Sequence, residues 1–356
     1  MKRPTNVKMN ISFDQKMMQR CLQLAQLGKP LAYPNPLVGA VIVLDGKIIG
    51  EGYHAFCGEA HAEVNAINSV TDKESLKQAS IYVSLEPCSH FGKTPPCADL
   101  IVKHQFKRVI VGTIDPYSEV SGKGIEHLRN AGIHADVGVL EEQCKAINNR
   151  FFHFHQNKTP YTILKWAQTA NGFIDAIRTT TAQKPLKISN PHASRWVHQL
   201  RSEADGILVG ARTFLMDRPQ LSTRLWPGNH PLRIIVDPKL ETLDVIEAQT
   251  DNTLVFHRQT NWTDLPPAFV ALLPEDWSLE AILEKLYLRN IQCILVEGGS
   301  YTLQQFFEHG LWNEAYQLVS ETHIKQGVKG PSFNKTPSFT KRIDQDLINI
   351  YWNEKR

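Results

Sequence analysis

The hydrophobic positions at the start of the chain predict a helix followed by a β-hairpin. Apolar side chains recur at helical spacing over 14–27, and a glycine and a proline end the run. Two apolar segments at 40–44 and 47–53 then flank the pair Asp45-Gly46. Such a pair readily adopts the positive φ angles of a tight hairpin turn, so we predict two antiparallel strands here.

The next segments alternate between helical and strand-like patterns. Helical spacing is present over 61–69 and 97–104, and buried-strand patterns occupy 81–85 and 108–114. Strands separated by helices are typical of a layered α/β sheet. The first part of the chain is therefore predicted to be one α/β domain.

A second α/β domain is predicted after a stretch of mixed aromatic and polar residues at 147–160. We place the boundary near residue 157, which gives domains over 1–157 and 158–356. The 356 residues suit two domains of ordinary size. Beyond the boundary, short apolar strands alternate with helical or loop segments; these strands lie at 161–167, 206–210, 233–237, 253–256 and 293–297.

Composition narrows the class of function. The chain has 39 Lys and Arg against 36 Asp and Glu, a net charge of only +3, which disfavours a dedicated nucleic-acid binder. No apolar run approaches the roughly 18 residues of a membrane helix, and the basic start lacks an apolar signal core. We expect a cytoplasmic protein that acts on a small molecule, without a nucleic-acid or membrane partner.

One cluster of potential metal ligands stands out among the scattered cysteines. His61 opens a predicted helix, Cys88 follows a strand, and Cys97 opens another helix. An imidazole and two thiolates fill three corners of a zinc tetrahedron and leave the fourth for water, as catalysis requires. Disulfides are not expected in a cytoplasmic chain. His90 could compete as a ligand, although we favour a loop role for it.

Glu63 is placed to move protons beside this metal. It lies two residues after His61 in the same first helical turn, and zinc lowers the pKa of bound water to about 7. A carboxylate that passes the water proton to a ring nitrogen and to departing ammonia contributes roughly 10² to 10⁴ in rate. The arrangement is that of known zinc deaminases. Packed core residues and a structural zinc in a noncatalytic protein are the alternatives.

Longer motifs resemble those of a known family. They are PNPLVGAVIV at 34–43, GEGYH at 50–54, HAEVNA at 61–66, SLEPCSHFGKTPPC at 84–97, KWAQT at 165–169, LRSEADGILVG at 200–210 and VEGG at 296–299. The chain resembles, over nearly its whole length, the bifunctional riboflavin biosynthesis proteins, in which a pyrimidine deaminase is fused to a reductase.

The resemblance implies a fold and two consecutive reactions. The amino-terminal domain would be a cytidine-deaminase-like α/β/α layer structure, and the carboxy-terminal domain a dihydrofolate-reductase-like α/β fold. The first would use Zn²⁺ to hydrolyse the 2-amino group of 2,5-diamino-6-(5-phosphoribosylamino)pyrimidin-4-one. The second would reduce the ribosyl group to ribityl with NADPH. A homo-oligomer is also expected.

Residue roles in the deaminase half follow from the same resemblance. Glu63 would be the proton shuttle, and His61, Cys88 and Cys97 the zinc ligands. Asn35, His54 and Lys93 would belong to the substrate pocket. Asn35 offers a donor and an acceptor to a pyrimidine edge, and Lys93 offers a charge to phosphate or carbonyl. A turn residue and a solvated loop charge are the alternatives for these two.

The residues alone say less about the reductase half. The glycine pattern of a Rossmann dinucleotide site is missing, and its nearest match, Gly122-Lys123-Gly124, is incomplete. The strand at 293–297 instead runs into Gly298-Gly299 and a predicted helix, where backbone N–H groups could hold a cofactor phosphate. A plain connector is the alternative.

The resemblance assigns further residues in this half. Lys165 would be catalytic, as a proton donor or polarising cation near the ribose C1′, with a strand-end charge as the alternative. Forked arginines suit a phosphate and a carboxylate suits ribose hydroxyls. The substrate positions are Arg201, Leu221, Arg224 and Glu297. The cofactor positions are Gln168, Thr213, Asp217, Gly299, Ser300, Tyr301, Thr302, Leu303, Gln304 and Gln305.

Three departures from the family pattern concern the reductase half. Asn171 stands where the family usually has an aspartate, Arg218 follows Asp217, and Lys187 replaces a usual tryptophan. Asn171-Gly172 still predicts a turn. The competing hypothesis is a zinc deaminase of another base or nucleoside whose second domain is not catalytic.

Overall fold

The computed structural model describes residues 11–29, 31–89, 95–117, 120–246, 251–259, 261 and 265–354. Residue contacts divide the chain into two compact units, unit 1 over residues 1–156 and unit 2 over residues 157–356. Within the described ranges, no helix combines the length and the apolar character that crossing a membrane requires.

Unit 1 alternates helices and strands as predicted. Its helices are α1 (Phe13–Gln26), α2 (Ala62–Ser69), α3 (Cys97–Lys103), α4 (Lys123–Asn130), α5 (Glu141–Ile147) and α6 (Asn149–Asn157), the last of which ends at the boundary. Its strands are β1 (Gly39–Leu44), β2 (Lys47–Tyr53), β3 (Ser80–Val83), β4 (Arg108–Val111) and β5 (His134–Val137), and a 3₁₀ helix spans Lys73–Gln78.

The sheet of unit 1 has the strand order β2-β1-β3-β4-β5. β1 is antiparallel to both β2 and β3, whereas β3, β4 and β5 are parallel. Asp45 and Gly46, with φ of 49° and 74°, form the predicted hairpin turn. β3 and β4 stop short of the predicted ends at 85 and 114, because the chain leaves the sheet there to build the site described below.

Helices cover both faces of this sheet, since side chains alternate sides along each strand. Ala40 and Ile42 of β1 pack in one core cluster with α2, α3 and α4. Val41 and Val43 pack in another with α1 and Cys144 of α5. The result is the predicted α/β/α layering.

Unit 2 is built on a longer, mainly parallel sheet. Its strands are β6 (Tyr161–Gln168), β7 (Phe173–Asp175), β8 (Gly206–Gly210), β9 (Leu232–Val236), β10 (Thr253–His257), β11 (Phe269–Ala271), β12 (Cys293–Gly298), β13 (Glu314–Val319), β14 (Val328–Lys329), β15 (Phe339–Ile343) and β16 (Asp346–Trp352). Its helices are α7 (Pro191–Ser202), α8 (Ala211–Asp217), α9 (Leu243–Ile246), α10 (Leu279–Tyr287) and α11 (Ser300–Glu308), with a 3₁₀ turn at Pro274–Asp276.

The strand order of this sheet reverses in its centre. The order is β11-β10-β9-β8-β12-β6-β13-β16-β15, while β7 and β14 form a separate pair. β12 lies between β8 and β6 and is parallel to both, although three strands separate it from β8 in the chain. Ligands of open α/β sheets bind at the carboxyl ends of the strands beside such a switch point. The carboxyl ends of β8, β12 and β6 are therefore the place where a ligand of unit 2 is expected.

Candidate active sites

The three predicted metal ligands of unit 1 come together. His61 is the residue before α2, Cys97 is the first residue of α3, and Cys88 lies five positions after β3. His61 Nδ1 lies 3.6 Å from Cys88 Sγ and 3.3 Å from Cys97 Sγ. Within the part of the chain that the structure describes, these side chains form a group of potential metal ligands with all donor atoms inside 4.8 Å.

The chemistry of this group fits zinc. One imidazole and two sulfurs are the donors that zinc prefers, and three protein ligands are typical of a catalytic rather than a structural site. A hydrogen bond from Cys97 lowers the pKa of Cys88. The same contact and burial raise the pKa of Cys97. A divalent cation between the two sulfurs favours the thiolate form of both.

Glu63 occupies the first turn of α2 and faces the same group. Its side chain is buried, and the residue is only 3% exposed. Burial raises the pKa of its carboxyl to about 7, against the opposing effect of His61. A carboxyl with this pKa both accepts and releases a proton near neutral pH.

Asn35 and His54 form a hydrogen-bonded pair beside the metal ligands. Asn35 Nδ2 lies 3.0 Å from His54 Nε2, and His54 Nδ1 lies 3.1 Å from the carbonyl oxygen of Ala60. A carbonyl only accepts, so His54 carries its proton on Nδ1 and accepts from Asn35 at Nε2. Burial lowers the pKa of His54, which favours this neutral form. The ring of His54 meets the ring of His61 edge-on, with centroids 5.4 Å apart.

Two residues considered for this site, Lys93 and His90, lie outside the described residues. Their roles stay predictions.

Glu86, two positions before Cys88, was not predicted as a functional residue. Its buried carboxylate accepts four backbone hydrogen bonds: Oε1 from Gly124 and Ile125 at 2.9 and 3.2 Å, and Oε2 from Gly122 and Asp115 at 2.9 and 3.2 Å. Glu86 therefore ties the start of α4 to the segment that carries Cys88. In the sequence, the sign of this role is a charged residue directly after an apolar strand.

This clamp also explains the incomplete glycine motif. Gly122 has φ of 80°, a left-handed conformation that favours glycine. A Cβ on Gly124 would lie 2.0 Å from the carbonyl oxygen of Pro87. The two glycines thus let the backbone approach Glu86 and Pro87, and they serve the packing of unit 1 rather than the binding of a dinucleotide.

In unit 2, three predicted residues form one buried ionic group. Glu297 on β12 accepts two hydrogen bonds of 2.7 Å from Nε and Nη2 of Arg201 on α7. Its Oε2 also lies 3.5 Å from Nζ of Lys165 on β6. Although burial alone would raise the pKa of Glu297, the charges of Arg201 and Lys165 bring it to about 2. Burial lowers the pKa of Lys165, and Glu297 opposes that shift.

The surroundings of Arg201 change its expected contact with phosphate. Its Nε/Nη2 edge is occupied by Glu297, and Nη1 donates to the carbonyl oxygen of Ser222 at 3.2 Å. Arg224 is exposed and therefore the better placed of the two arginines for a phosphate. Leu221 is buried and has φ of 50°, so it shapes the backbone of this segment rather than offering a polar contact.

His198, one helical turn before Arg201, was not predicted. It is 4% exposed, and among the described residues its buried Nδ1 has no hydrogen-bond partner. Burial and the nearby charges of Arg201 and Arg224 lower its pKa to about 4, so the ring is neutral at pH 7.

The carboxyl ends of β8 and β12 form a narrow cradle at the switch point. The N–H of Gly299 donates to Thr213 Oγ1 at 2.8 Å. A Cβ on Gly299 would lie 2.8 Å from that oxygen, and a Cβ on Gly210 would lie 2.7 Å from Thr302 Oγ1. Gly298 has φ of 142°. Glycines that keep two helix starts this close fit the binding of a cofactor phosphate.

The other predicted cofactor positions are less uniform. Ser300 and Thr302 lie in the first turn of α11, where Tyr301 is exposed and Leu303 is buried in the core. Gln304 accepts from the Ser332 N–H at 2.7 Å, and Gln305 donates to Glu308. Gln168 accepts from Trp166 Nε1 at 2.8 Å. Asp217, at the end of α8, pairs with Arg178.

The departures from the family pattern have structural explanations in two cases. Asn171 accepts from Thr169 Oγ1 at 2.8 Å and donates to the carbonyl oxygen of Ile324 at 2.7 Å, and Gly172 has φ of 84°. The predicted turn is therefore present, held by the asparagine amide. Arg218 caps α8 in a left-handed conformation with φ of 44°. Lys187 is exposed, and nothing in the structure explains its place.

Family models match both units of the chain. The family model for the cytidine and deoxycytidylate deaminase zinc-binding region matches residues 11–113, and the model for the RibD C-terminal domain matches residues 160–320. The riboflavin biosynthesis protein RibD of Aquifex aeolicus is 39% identical over 322 residues, which cover 88% of this chain and 89% of that protein. The Escherichia coli protein RibD is 33% identical over a region that covers 89% of this chain and 90% of that protein.

Solved structures show the same likeness over the full length. The crystal structure of a diaminohydroxyphosphoribosylaminopyrimidine deaminase/5-amino-6-(5-phosphoribosylamino)uracil reductase from Thermotoga maritima superimposes with a TM-score of 0.80 at 35% identity. It covers 95% of this chain and 98% of that one. RibD of Acinetobacter baumannii gives the same TM-score and coverage at 29% identity. The predicted pair of cytidine-deaminase-like and reductase folds is thereby confirmed.

Proposed function

The chain belongs to the RibD family of riboflavin biosynthesis proteins, and we propose that unit 1 carries out its deamination and unit 2 its reduction. The enzyme is a zinc-dependent deaminase and an NADPH-dependent reductase of riboflavin biosynthesis. Its substrate is a pyrimidine. The proposal assigns the two reactions to this chain's own residues.

In unit 1, His61, Cys88 and Cys97 would hold the zinc ion. Zinc bound there supplies the Lewis acidity that makes water a nucleophile at neutral pH. Glu63 would take one proton from the attacking water and deliver it to the pyrimidine ring nitrogen, and then take the second proton from the same oxygen and deliver it to the departing amine. Water thus replaces the 2-amino group, and ammonia leaves. The pKa of about 7 suits a carboxyl that both accepts and releases this proton.

Asn35 and His54 would orient the pyrimidine. His54 fixes the Asn35 amide by accepting from its Nδ2, so Asn35 Oδ1 points its lone pairs away from the histidine. An oxygen held in this way accepts a hydrogen bond from an N–H group on the base. The neutral His54 ring keeps a second positive charge away from the metal ligands.

In unit 2, Lys165 would assist hydride transfer from NADPH to the ribose C1′. Ring opening makes C1′ an electrophile, and Lys165 Nζ supplies the proton or the positive charge that this step requires. Glu297 is ionised at neutral pH, holds Lys165 in place and has lone pairs left for ribose hydroxyls. Arg224 would meet the substrate phosphate, and the Gly298–Gly299 cradle beside Thr213 would hold the cofactor.

The observation that carries the proposal is the buried set of His61, Cys88 and Cys97 with Glu63 in the adjoining helical turn. The direct test supplies the purified zinc-loaded chain with the diaminopyrimidine phosphoribosyl substrate, with and without NADPH. We expect ammonia release in both cases and a ribityl product, identified by mass, only with NADPH. Ammonia release without NADPH oxidation would remove the reductase function alone.

A second experiment addresses the base specificity. Cytosine, cytidine and the phosphoribosyl substrate are compared at equal concentration. Preference for the phosphoribosyl compound supports the proposal, whereas faster deamination of cytidine favours a nucleoside deaminase. A cytoplasmic location and assembly of identical chains stay predictions.

A further inference from the structure

Arg178 is a buried arginine that no sequence motif singled out. It lies in the segment after β7, and its side chain is only 8% exposed. Nε donates to Asp175 Oδ2 at 2.6 Å, and Nη2 donates to Asp217 Oδ1. Nη1 donates to the carbonyl oxygens of Met216 and Gln183, both at 3.3 Å. Each nitrogen of the guanidinium is therefore engaged.

The same interactions close a loop at 176–186. Asp175 Oδ1 accepts from the N–H of Ala176 at 2.9 Å and from the N–H of Leu186 at 2.8 Å, so the two ends of the loop meet at one carboxylate. Arg178 adds a hydrogen bond to the carbonyl oxygen of Gln183 inside the loop. We call residues 176–186 the closed loop. Arg178 joins it to the last turn of α8 through Met216 and Asp217.

That turn of α8 belongs to the reductase cradle. Thr213 and Asp217 are four residues apart on α8 and therefore lie on one face of the helix. Thr213 accepts the Gly299 N–H of the cradle at one end of this face. Arg178 binds Asp217 at the other end. One helix face thus connects the closed loop to the place proposed for the cofactor.

The charges at this position matter for an anionic cofactor. Asp175 and Asp217 together carry two negative charges, and Arg178 neutralises one of them. Without the arginine, both carboxylates would repel the phosphates of NADPH. With it, one oxygen of Asp217 is committed to Arg178, and the other is left in a fixed direction to accept from a ribose hydroxyl.

We propose that Arg178 is a positioning residue for the reductase cofactor: by holding both Asp217 and the closed loop, it makes the loop and α8 one wall of the NADPH cleft. The proposal rests on the reductase function proposed above. It assigns to Arg178 an effect on cofactor binding and none on the chemical step, because the guanidinium acts through Asp217.

Direct titration with NADPH tests this role. The variants are Arg178→Gln, Arg178→Lys and, as the matched control, Arg195→Gln, which removes an exposed arginine of α7. We expect Arg178→Gln to raise Kd and KM for NADPH about tenfold with kcat changed less than about threefold, the signature of lost binding rather than lost chemistry. Arg178→Lys should recover part of the affinity. Deamination, measured as ammonia release, should equal that of the wild type in every variant.

Limited proteolysis gives a readout that requires no catalysis. Lys187 follows the closed loop directly and is exposed, so trypsin can cut after it once the loop opens. We expect cleavage after Lys187, followed by mass spectrometry, to be at least about fivefold faster in Arg178→Gln than in Arg195→Gln. NADP⁺ should slow this cleavage in the wild type.

A double variant tests whether Arg178 acts through Asp217. If it does, Asp217→Asn and Arg178→Gln together should raise the Kd little more than Arg178→Gln alone. Two results would overturn the positioning role: fully multiplicative effects of the two substitutions, or an unchanged Kd and cleavage rate in Arg178→Gln. In either case, NADPH binding by the wild type would leave the reductase function standing. If the wild type binds no NADPH, the reductase function fails first and the role of Arg178 falls with it.

Discussion

The two candidate sites are organised by different forces. In unit 1, the ligand atoms of His61, Cys88 and Cys97 come from helix starts and a strand end, and they are donors that one divalent cation would share. In unit 2, the carboxylate of Glu297 pairs with both Lys165 and Arg201 and balances one of their two positive charges. The deaminase site therefore depends on a metal for its electrostatic balance, whereas the reductase site contains its own counter-ions.

This difference predicts how each site responds to a single substitution. A residue of the metal group can be changed without disturbing the ionic group, because the two belong to separate compact units. Within the ionic group, removing Glu297 would leave the two buried positive charges without a counter-ion, which is costly. The two activities of the chain can therefore serve as internal controls for each other.

The largest effect is expected from Glu63→Gln. The amide cannot move the water proton, so ammonia release should fall about 10³-fold while NADPH oxidation with the deaminated substrate stays unchanged. Zinc content should also stay unchanged, since Glu63 is not a ligand. Glu126→Gln, on the exposed face of α4, is the matched control. Full deaminase activity in Glu63→Gln would disprove the shuttle role.

Lys165→Met should lower the reductase activity and leave the deaminase activity unchanged. Removing the buried ammonium leaves the Arg201–Glu297 pair intact and should lower NADPH oxidation roughly 10²-fold, with ammonia release unchanged. The control Lys285→Met removes a partly exposed lysine of α10. The readouts are the initial rate of NADPH oxidation and the Kd of NADPH. A rate equal to that of the control would exclude Lys165 from the reaction.

The metal ligands could be predicted from the sequence because sulfur and imidazole at motif spacing have few other uses. The ionic group could not be predicted as a group, since Arg201 and Lys165 lie 96 and 132 positions from Glu297. Each residue was expected to meet the substrate separately. Only the folded structure shows that Lys165 and Arg201 both pair with Glu297.

Glu86→Gln should lower the stability of unit 1 and leave that of unit 2 unchanged. The amide nitrogen would face two of the backbone N–H groups that the carboxylate now accepts, so we expect unit 1 to lose about 3 kcal/mol. All seven tryptophans lie beyond residue 157, so tryptophan fluorescence follows unit 2 alone. The midpoint of the urea transition should shift when unfolding is followed by circular dichroism but not when it is followed by tryptophan fluorescence. Glu126→Gln again serves as the control, and equal shifts in both signals would contradict the assignment.

The smallest expected effect concerns pH and His198 in unit 2. Its pKa in the folded chain is about 4, below the ordinary 6.5, so the unfolded chain binds this proton first as the pH falls. Stability is therefore lost as the pH falls from about 6.5 to about 4. The groups whose charges act on His198 are Arg201, Arg224 and Glu297.

His198→Gln removes this titration. The urea midpoint of the fluorescence transition, measured between pH 7 and 4.5, should decline less steeply in this variant than in the wild type. His309→Gln, which changes an exposed histidine at the end of α11, is the control. Parallel slopes in all three proteins would show that His198 does not contribute to the pH dependence.

The fold shows a similar division between what the sequence could and could not predict. The strands from β1 to β12 that were found have buried, apolar residues, as in Ala40–Val43 and Ile294–Val296. β15 carries no buried residue, and β7 and β14 are very short, so their hydrophobic pattern is weak. The Glu86 clamp was missed because a carboxylate that binds only backbone leaves no partner residue in the sequence.

The position of β12 has a consequence for synthesis of the chain on the ribosome. β6 and β8 pair with β12 in the finished sheet, so both keep an open edge until residue 298 has been made. At ordinary translation rates this interval, counted from residue 210, lasts roughly 4 to 18 seconds. Unit 1, whose last strand ends at Val137, has every strand of its sheet well before then. The nascent enzyme thus passes through a stage in which the deaminase sheet can close while the reductase sheet still exposes strand edges to other chains.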